Sequence, residues 1–358
     1  MNKNNEFIEW RLLKDSVRDP YRHFAIEEAL LRGIDEGFTP PTLRLRQAEP
    51  SVWIGVYQYP EEDVDIKYCE EKGIKIVRRP NPGGAVYQDE GSFCYSLFFP
   101  KETVFNRLHI EKPEQLYAIA GKAVIDTCRE YGVHAELSPI NDITINGRKV
   151  YGSAQVQLYS GFVHSGTFLV KTDIDEMERC LIPSMLKYID KGFRGVKERV
   201  INLCDAVGKD IQIEEVMEKL ACHIARILGV DFRPGLLSDE EIKLVDSLYE
   251  EKYSKKEWTY RKREEYNTVI STKSRSGVIT VGVSLDNEII TALEIKGDFL
   301  VPDQQELIRM ISLLKGKPLS AVQGIVNAGR LPDDVGESLI GLFKDIGKKG
   351  GANDTGCR

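Results

Sequence analysis

The run Arg78-Arg79-Pro80-Asn81-Pro82-Gly83-Gly84-Ala85-Val86-Tyr87-Gln88-Asp89 constrains the fold more than any other stretch of the chain. An apolar, strand-like piece, Ile74 to Val77, leads into it, and Gly91 to Phe99 reads as a strand leading out. Between them lie two prolines with fixed φ and a glycine pair whose amides a ligand can approach closely. A second run, Asn141 to Gln155, answers the first: strands over Asp142 to Ile145 and Lys149 to Gln155 meet across an Asn146-Gly147 turn. Taken singly, the first run is an ordinary solvated strand end and the second an ordinary hairpin. Together they offer guanidinium groups, open amides, a carboxylate and a lysine, a set suited to a nucleotide or an acyl group carried on one.

The rest of the chain frames these runs. Helical spacing of apolar residues marks Phe24 to Ile34, Asp65 to Lys72, Pro113 to Tyr131, Asp175 to Leu181 and Ile213 to Leu228. Leu43 to Leu45, Ser51 to Tyr57 and Phe162 to Leu169 read as strands. Lys191 to Val200, rich in Gly, Lys and Arg, reads either as a loop that folds over a ligand or as plain solvated surface. Lys, Glu and Arg crowd together from Leu248 to Tyr266, as in a tether. Beyond it, strands over Val278 to Val283 and Glu288 to Lys296 precede helices over Asp303 to Leu314 and Val335 to Phe343. The Gly-rich end from Lys348 to Arg358 has the composition of a disordered tail.

With 42% apolar and 29% charged residues in 358, the chain has the make-up of a globular protein with one large and one smaller domain. A net charge of −7 leaves no basic excess for general nucleic-acid binding. The start, Met1 to Glu6, has no apolar targeting core, and no apolar run reaches roughly eighteen residues, so a cytoplasmic protein without membrane association is expected. Seven dispersed cysteines, with no Cys-x-x-Cys pair, argue for reduced thiols rather than zinc or iron–sulfur ligands. Cys94, alternating with Phe93 and Tyr95, reads as a core strand position.

In their order and spacing, the two runs resemble the lipoate–protein ligases of the biotin/lipoate ligase superfamily. That pattern is Arg-Arg, two variable residues, three glycines and a downstream His-Asp, then Asn-Asp, a short hairpin, and Lys followed closely by Gly-Ser-Ala. The resemblance runs from Trp10 to Gly329. Four positions depart from it: Pro82 stands at the first glycine, Gln88 and Ser165 stand where histidines are usual, and Ser92 replaces a frequent asparagine. Pro82 removes one donor amide; His164 sits one place before Ser165.

The resemblance implies an α/β (α+β-type) fold: a mixed-sheet core flanked by helices, plus a small C-terminal α/β domain. The corresponding division is a catalytic domain over 1–247, a linker over 248–266, an accessory domain over 267–346 and a disordered tail over 347–358. It implies that ATP, with Mg2+, converts lipoic acid to lipoyl-AMP, which then acylates a lysine of an apo lipoyl-domain protein, an E2 subunit of a 2-oxoacid dehydrogenase or the glycine-cleavage H protein. Lys149 is the expected catalytic residue, a compact charge reaching both the acyl carbonyl and the α-phosphate, with Arg148 on the opposite strand face. Arg79 is expected as a phosphate or carboxylate clamp and Arg78 as a second clamp or a structural group. Asn81, Gly83, Gly84, Val86, Gln88, Gly152 and Ala154 are expected around the acyl-adenylate, with Gly166 and Thr167 on its adenine and ribose side. Asp142 is the expected magnesium ligand, and Trp53, Ile54, Gly55 and Val56 the expected wall of the lipoyl tunnel. Alternatives are an octanoyl or lipoyl transferase, or a lipoyl-adenylate-binding protein without adenylation. Against the first, Leu137 to Ile140 holds no cysteine and Cys128 falls within a helix. A biotin ligase fits less well, because its glycine signature differs and no DNA-binding segment precedes the core.

Overall fold

The computed structural model describes residues 8–182, 195–301 and 303–351. Its strands are β1 (Ile8–Lys14), β2 (Thr42–Arg46), β3 (Ser51–Ile54), β4 (Lys75–Arg78), β5 (Val86–Gln88), β6 (Ser92–Pro100), β7 (Glu136–Ser138), β8 (Asp142–Ile145), β9 (Arg148–Leu158), β10 (Gly161–Leu169), β11 (Val230–Pro234), β12 (Thr268–Ser274), β13 (Gly277–Asp286) and β14 (Ile289–Gly297). Eight of them form one mixed sheet in the order β11-β1-β2-β6-β10-β9-β8-β7. Within it β11, β1 and β2 run parallel, and every pairing from β2 onward is antiparallel. A small sheet, β4-β3-β5, stands apart and carries the glycine-rich run from the end of β4 to the start of β5.

Alternation along β6 sets out the two sides of the large sheet. Phe93, Tyr95, Leu97 and Phe99 enter a core shared with Leu116 and Val124 of the helix Gln115–Glu130 and with Val216 and Leu220 of the helix Ile213–Leu228. Cys94 and Phe98 turn the other way, toward Phe24, Ala29 and Leu30 of the helix Pro20–Glu36. That helix begins with proline in its first turn and stops at Gly37, which takes the left-handed conformation at φ 85°. The site lies on this second side of the sheet.

Most expected elements fall within these bounds, but the strand read over Ser51 to Tyr57 stops at Ile54. The physical reason is a close backbone approach: a Cβ on Gly55 would lie 2.0 Å from the carbonyl oxygen of Gly83. The charge-rich stretch 248–266 is not loose over its first half. Leu248 and Tyr253 are buried against the helix Pro20–Glu36, and the Tyr253 hydroxyl donates to Glu28 at 2.6 Å. Glu250, Glu251, Lys255, Lys256 and Glu257 are exposed, while Lys252 turns inward to Glu28 at 2.6 Å, a division that composition alone does not separate from a tether.

Beyond it, β12, β13 and β14 form an antiparallel sheet packed on the helices Gln304–Leu314, Val322–Asn327 and Asp333–Gly351. Ile279, Val281, Leu293, Leu307, Leu339 and Phe343 make this a core of its own. The last helix continues through residues 347–351, the start of the expected tail, and 352–358 lie outside the described residues. No helix among the described residues is long and apolar enough to cross a membrane.

Candidate active site

The hairpin of β8 and β9 places its lysine by means of an irregularity. Strict alternation would set Lys149 and Gly152 on opposite faces. The register shifts between Ile143 and Thr144, so Ile143 faces Tyr151 while Thr144 faces Lys149, and Val150 is the extra residue. The shift resets the phase and brings the Lys149 ammonium over Gly152, where a Cβ would lie 2.3 Å from Nζ. Asp142, directly across from Gly152, receives Lys149 Nζ at 2.6 Å, and Arg199 approaches its other oxygen at 3.6 Å. Arg148 is exposed and stands away from this group. Asn141 closes the arrangement, its carbonyl accepting from the Ser153 amide at 3.0 Å.

The glycine-rich loop is organised from within by the two arginines. Buried Arg78 donates to five carbonyls, those of Gly55, Val56, Gln58, Trp258 and Thr259, at 2.5–3.2 Å. Burial, with the Arg261 cation nearby, lowers its pKa to about 9; the group stays charged at neutral pH, and its role is structural. The guanidinium of Arg79, the expected anion clamp, donates to the carbonyls of Trp53, Pro82 and Gly84, at 2.7, 3.2 and 2.7 Å. Pro82, which has no N–H to offer a ligand, thus takes part through its carbonyl. Gly83 turns the loop at φ 100°.

These two regions wall one cavity of about 320 Å3, within the usual range of roughly 300–1,000 Å3 for small-molecule sites. Lys149, Asp142, Arg79, Asn81, Gly83, Gly84, Val86, Gly152, Ala154, Gly166 and Thr167 all line it. Asn81 is buried, and neither its amide nitrogen nor its amide oxygen has a partner. Buried amides are seldom left so, and this one stands in a cavity wall.

Gln88 does not line the cavity: its nitrogen donates to the Thr167 hydroxyl at 3.0 Å and its oxygen accepts from Ser92. It supports Thr167 from behind. Of the four expected tunnel residues only Trp53 reaches the cavity. Ile54 alternates into a separate core, while Gly55 and Val56 are held by backbone contacts. Ser165 lines the cavity, whereas His164 points away into the core, among Tyr95, Tyr151 and Gln155, with burial lowering its pKa to about 3. Cys94 also reaches the wall, but burial raises its pKa, so it stands as a thiol.

Several wall residues carried no signal in the sequence. Glu27 and Arg46 come from the helix Pro20–Glu36 and the end of β2 and form a buried ion pair at 2.5 Å. Arg199 comes from the short helix Val196–Arg199, at the end of the segment read as a covering loop; residues 191–194 of that segment lie outside the described residues. The turn from β12 to β13 brings Lys273 and Arg275 to the cavity, and Leu300 lies 3.3 Å from where a Gly83 Cβ would stand. Pairing across cores cannot be read from local periodicity.

A mixed-sheet core with a Lys–Asp hairpin facing an arginine-braced glycine loop defines a class that comparison identifies. The model of the lipoyl protein ligase A/B catalytic domain matches residues 19–225, more than half of the chain, and the chain belongs to that family. Lipoate-protein ligase LplJ of Bacillus subtilis is 29% identical over 298 residues, 83% of this chain and 87% of its own length. Lipoate-protein ligase A subunit 1 of Thermoplasma acidophilum is 29% identical over 257 residues, 69% and 94% of the two chains. Among solved structures, a lipoate-protein ligase A bound with ATP superposes with a TM-score of 0.62 at 28% identity, covering 71% of this chain and 99% of that one. The bipartite lipoate protein ligase of Thermoplasma acidophilum, described together with its E2 lipoyl domain, gives 0.62 at 29%, covering 72% and 99%. LipL1 of P. falciparum, at 19% identity, shares the fold with a TM-score of 0.73 over 93% of this chain and 98% of its own.

Proposed function

We propose that this protein activates lipoate with ATP and transfers the lipoyl group to a lysine of a lipoyl-domain protein. The observation that carries the reading is the Lys149–Asp142 pair sharing one cavity wall with the partnerless Asn81 amide and the braced glycine loop. In the first step a lipoate carboxylate oxygen attacks the α-phosphorus of ATP, and pyrophosphate leaves with the bonding pair. Lys149 turns from Asp142 toward the incoming carboxylate and the α-phosphate, offsetting the repulsion between two anions. Asn81 fixes the acyl-adenylate by hydrogen bonds, and the backbone of Gly83 and Gly84 lies along it. In the second step the acceptor amine attacks the acyl carbonyl and AMP leaves.

A magnesium ion would supply further charge neutralisation at the phosphates. Asp142 suits it as a single hard oxygen ligand beside phosphate oxygens, in keeping with the lack, among the described residues, of any cluster of three or more His, Cys, Asp or Glu able to hold a metal without nucleotide. On the same reading, residues 1–247 form the catalytic unit and 267–346 an accessory unit, joined by 248–266 through a segment fastened to Arg78 and Glu28. The acceptors are E2 lipoyl domains or an H protein. Thioester transfer through cysteine is disfavoured, because Cys94 is a buried thiol and Cys128 is fully enclosed in its helix, with its pKa pushed up to about 12.

The test is pyrophosphate release from ATP and lipoate, followed by mass measurement of an added apo lipoyl domain. Release together with a lipoyl mass gain is expected. Transfer from supplied lipoyl-adenylate without release would convert the reading to a transferase and implicate Pro82.

A further inference from the structure

Arg46, Arg79 and Arg199 all line the cavity, and of the three Arg199 is loosely held. Arg46 reaches Glu27 at 2.5 Å and the Ser96 hydroxyl at 2.8 Å, and Arg79 is spread over three carbonyls. Arg199 stands 3.6 Å from Asp142 Oδ2, beyond hydrogen-bond distance, with 31% of its side chain exposed. Its backbone, by contrast, is fixed. Val196 and Val200 are buried, Val200 forms an isolated bridge with Lys149, and the Ile201 amide donates to the Lys149 carbonyl at 2.9 Å. A guanidinium on an anchored stem, without a tight partner among the described residues, can close on an anion at small cost in ordering.

Register indicates which part of a nucleotide this group would meet. Thr167 on β10, Gly152 on β9 and Asp142 on β8 stand in one row across the sheet. Lys149 Nζ lies over Gly152 and meets Asp142 Oδ1 at 2.6 Å, whereas Arg199 stands at Oδ2. A nucleoside seated on Gly166 and Thr167 puts its α-phosphate by Lys149, and the phosphate chain then continues past Asp142, the proposed magnesium ligand, to Arg199. Resting on the ligase reading above, we infer that Arg199 is a second catalytic residue, a bidentate ligand of the pyrophosphate leaving group. As the lipoate oxygen bonds to the α-phosphorus, the bond from that phosphorus to the bridging oxygen breaks, and its electron pair goes to pyrophosphate. The Arg199 N–H groups meet the charge that gathers there. Transfer makes no such demand: the acceptor amine attacks the acyl carbon, AMP leaves with the acyl–oxygen bonding pair, and no pyrophosphate is present. Arg199 therefore serves the first step and not the second.

The experiment uses the full chain and one intermediate, supplied lipoyl-adenylate, offered to two nucleophiles. Pyrophosphate with magnesium returns it to ATP and lipoate; an apo lipoyl domain takes the lipoyl group and releases AMP. Arg199→Ala should raise KM for pyrophosphate about tenfold or more, the effect of losing a charge-assisted pair of hydrogen bonds. It should slow forward pyrophosphate release by about a hundredfold, while transfer to the lipoyl domain keeps the native rate. Arg199→Lys keeps a cation beside Asp142 but loses the fork, so its KM for pyrophosphate should fall between the two; if Arg199→Ala does not fold, this variant carries the same test. An arginine that only steadied Asp142 or Lys149 would leave KM for pyrophosphate unchanged. That result, or equal losses in ATP formation and transfer, would overturn the assignment and leave the ligase reading standing. A native protein that neither releases pyrophosphate from ATP and lipoate nor forms ATP from lipoyl-adenylate would overturn the ligase reading, and the assignment with it.

Discussion

The glycine-rich loop and the β8–β9 hairpin face the same cavity but use their positive charge differently. In the loop, Arg78 reaches five carbonyls and Arg79 three, so the guanidinium groups act as buried braces. In the hairpin, Lys149 is half-buried, with a carboxylate 2.6 Å away and a bulge that sets its direction. A planar fork suits many fixed carbonyls, whereas a compact ammonium on a flexible stem can exchange one anionic partner for another. Positive charge in the loop serves shape; in the hairpin, on the proposed mechanism, it serves chemistry.

That contrast predicts opposite failures for mutations in the two regions. Lys149→Ala should slow pyrophosphate release by about a hundred- to a thousandfold, the usual cost of removing one transition-state charge contact. Its melting temperature should stay near that of the native protein. Near-normal release would remove Lys149 from the mechanism. Arg78→Met should do the reverse, destabilising the fold by about 3 kcal/mol because five buried carbonyls lose a charged donor. Thermal unfolding would show it. A stable Arg78→Met protein with lost activity would instead make Arg78 a ligand group and dissolve the distinction drawn here.

The sequence made these regions legible to different depths. Glycines and prolines mark a loop wherever they stand, so the path from β4 to β5 was readable, as were the long helix Ile213–Leu228 and the strands around the site. The target of a buried arginine was not readable, because Trp258 and Thr259, which receive Arg78, lie far along the chain in a stretch whose charges suggested a tether. The bulge at Val150 was equally hidden: counting by twos assigns Lys149 and Gly152 to opposite faces, and only pairing with β8 resets the count. Glu27 and Arg46 were missed for a third reason. A charged residue in an amphipathic helix reads as surface, and its burial depends on a partner that another element supplies.

The two smallest expected effects sharpen the comparison further. Gly152→Ala would place a methyl group 2.3 Å from the resting position of Lys149 Nζ. The ammonium is the mobile end of its side chain, so the protein should fold normally while the charge is displaced. Adenylation should fall about ten- to a hundredfold, in line with the sensitivity of positioned groups to shifts of an ångström; an unchanged rate would mean that the bulge does not aim the lysine. Asn81→Ala acts in the loop, yet should behave unlike the loop arginines. Both amide atoms of Asn81 lack partners and are buried, so removing them deletes an unmet polar group rather than a brace. The variant should be as stable as the native protein or slightly more so, while KM for lipoate or ATP rises severalfold. A loss of stability with KM unchanged would place Asn81 among the braces and confine ligand recognition to the hairpin side of the cavity.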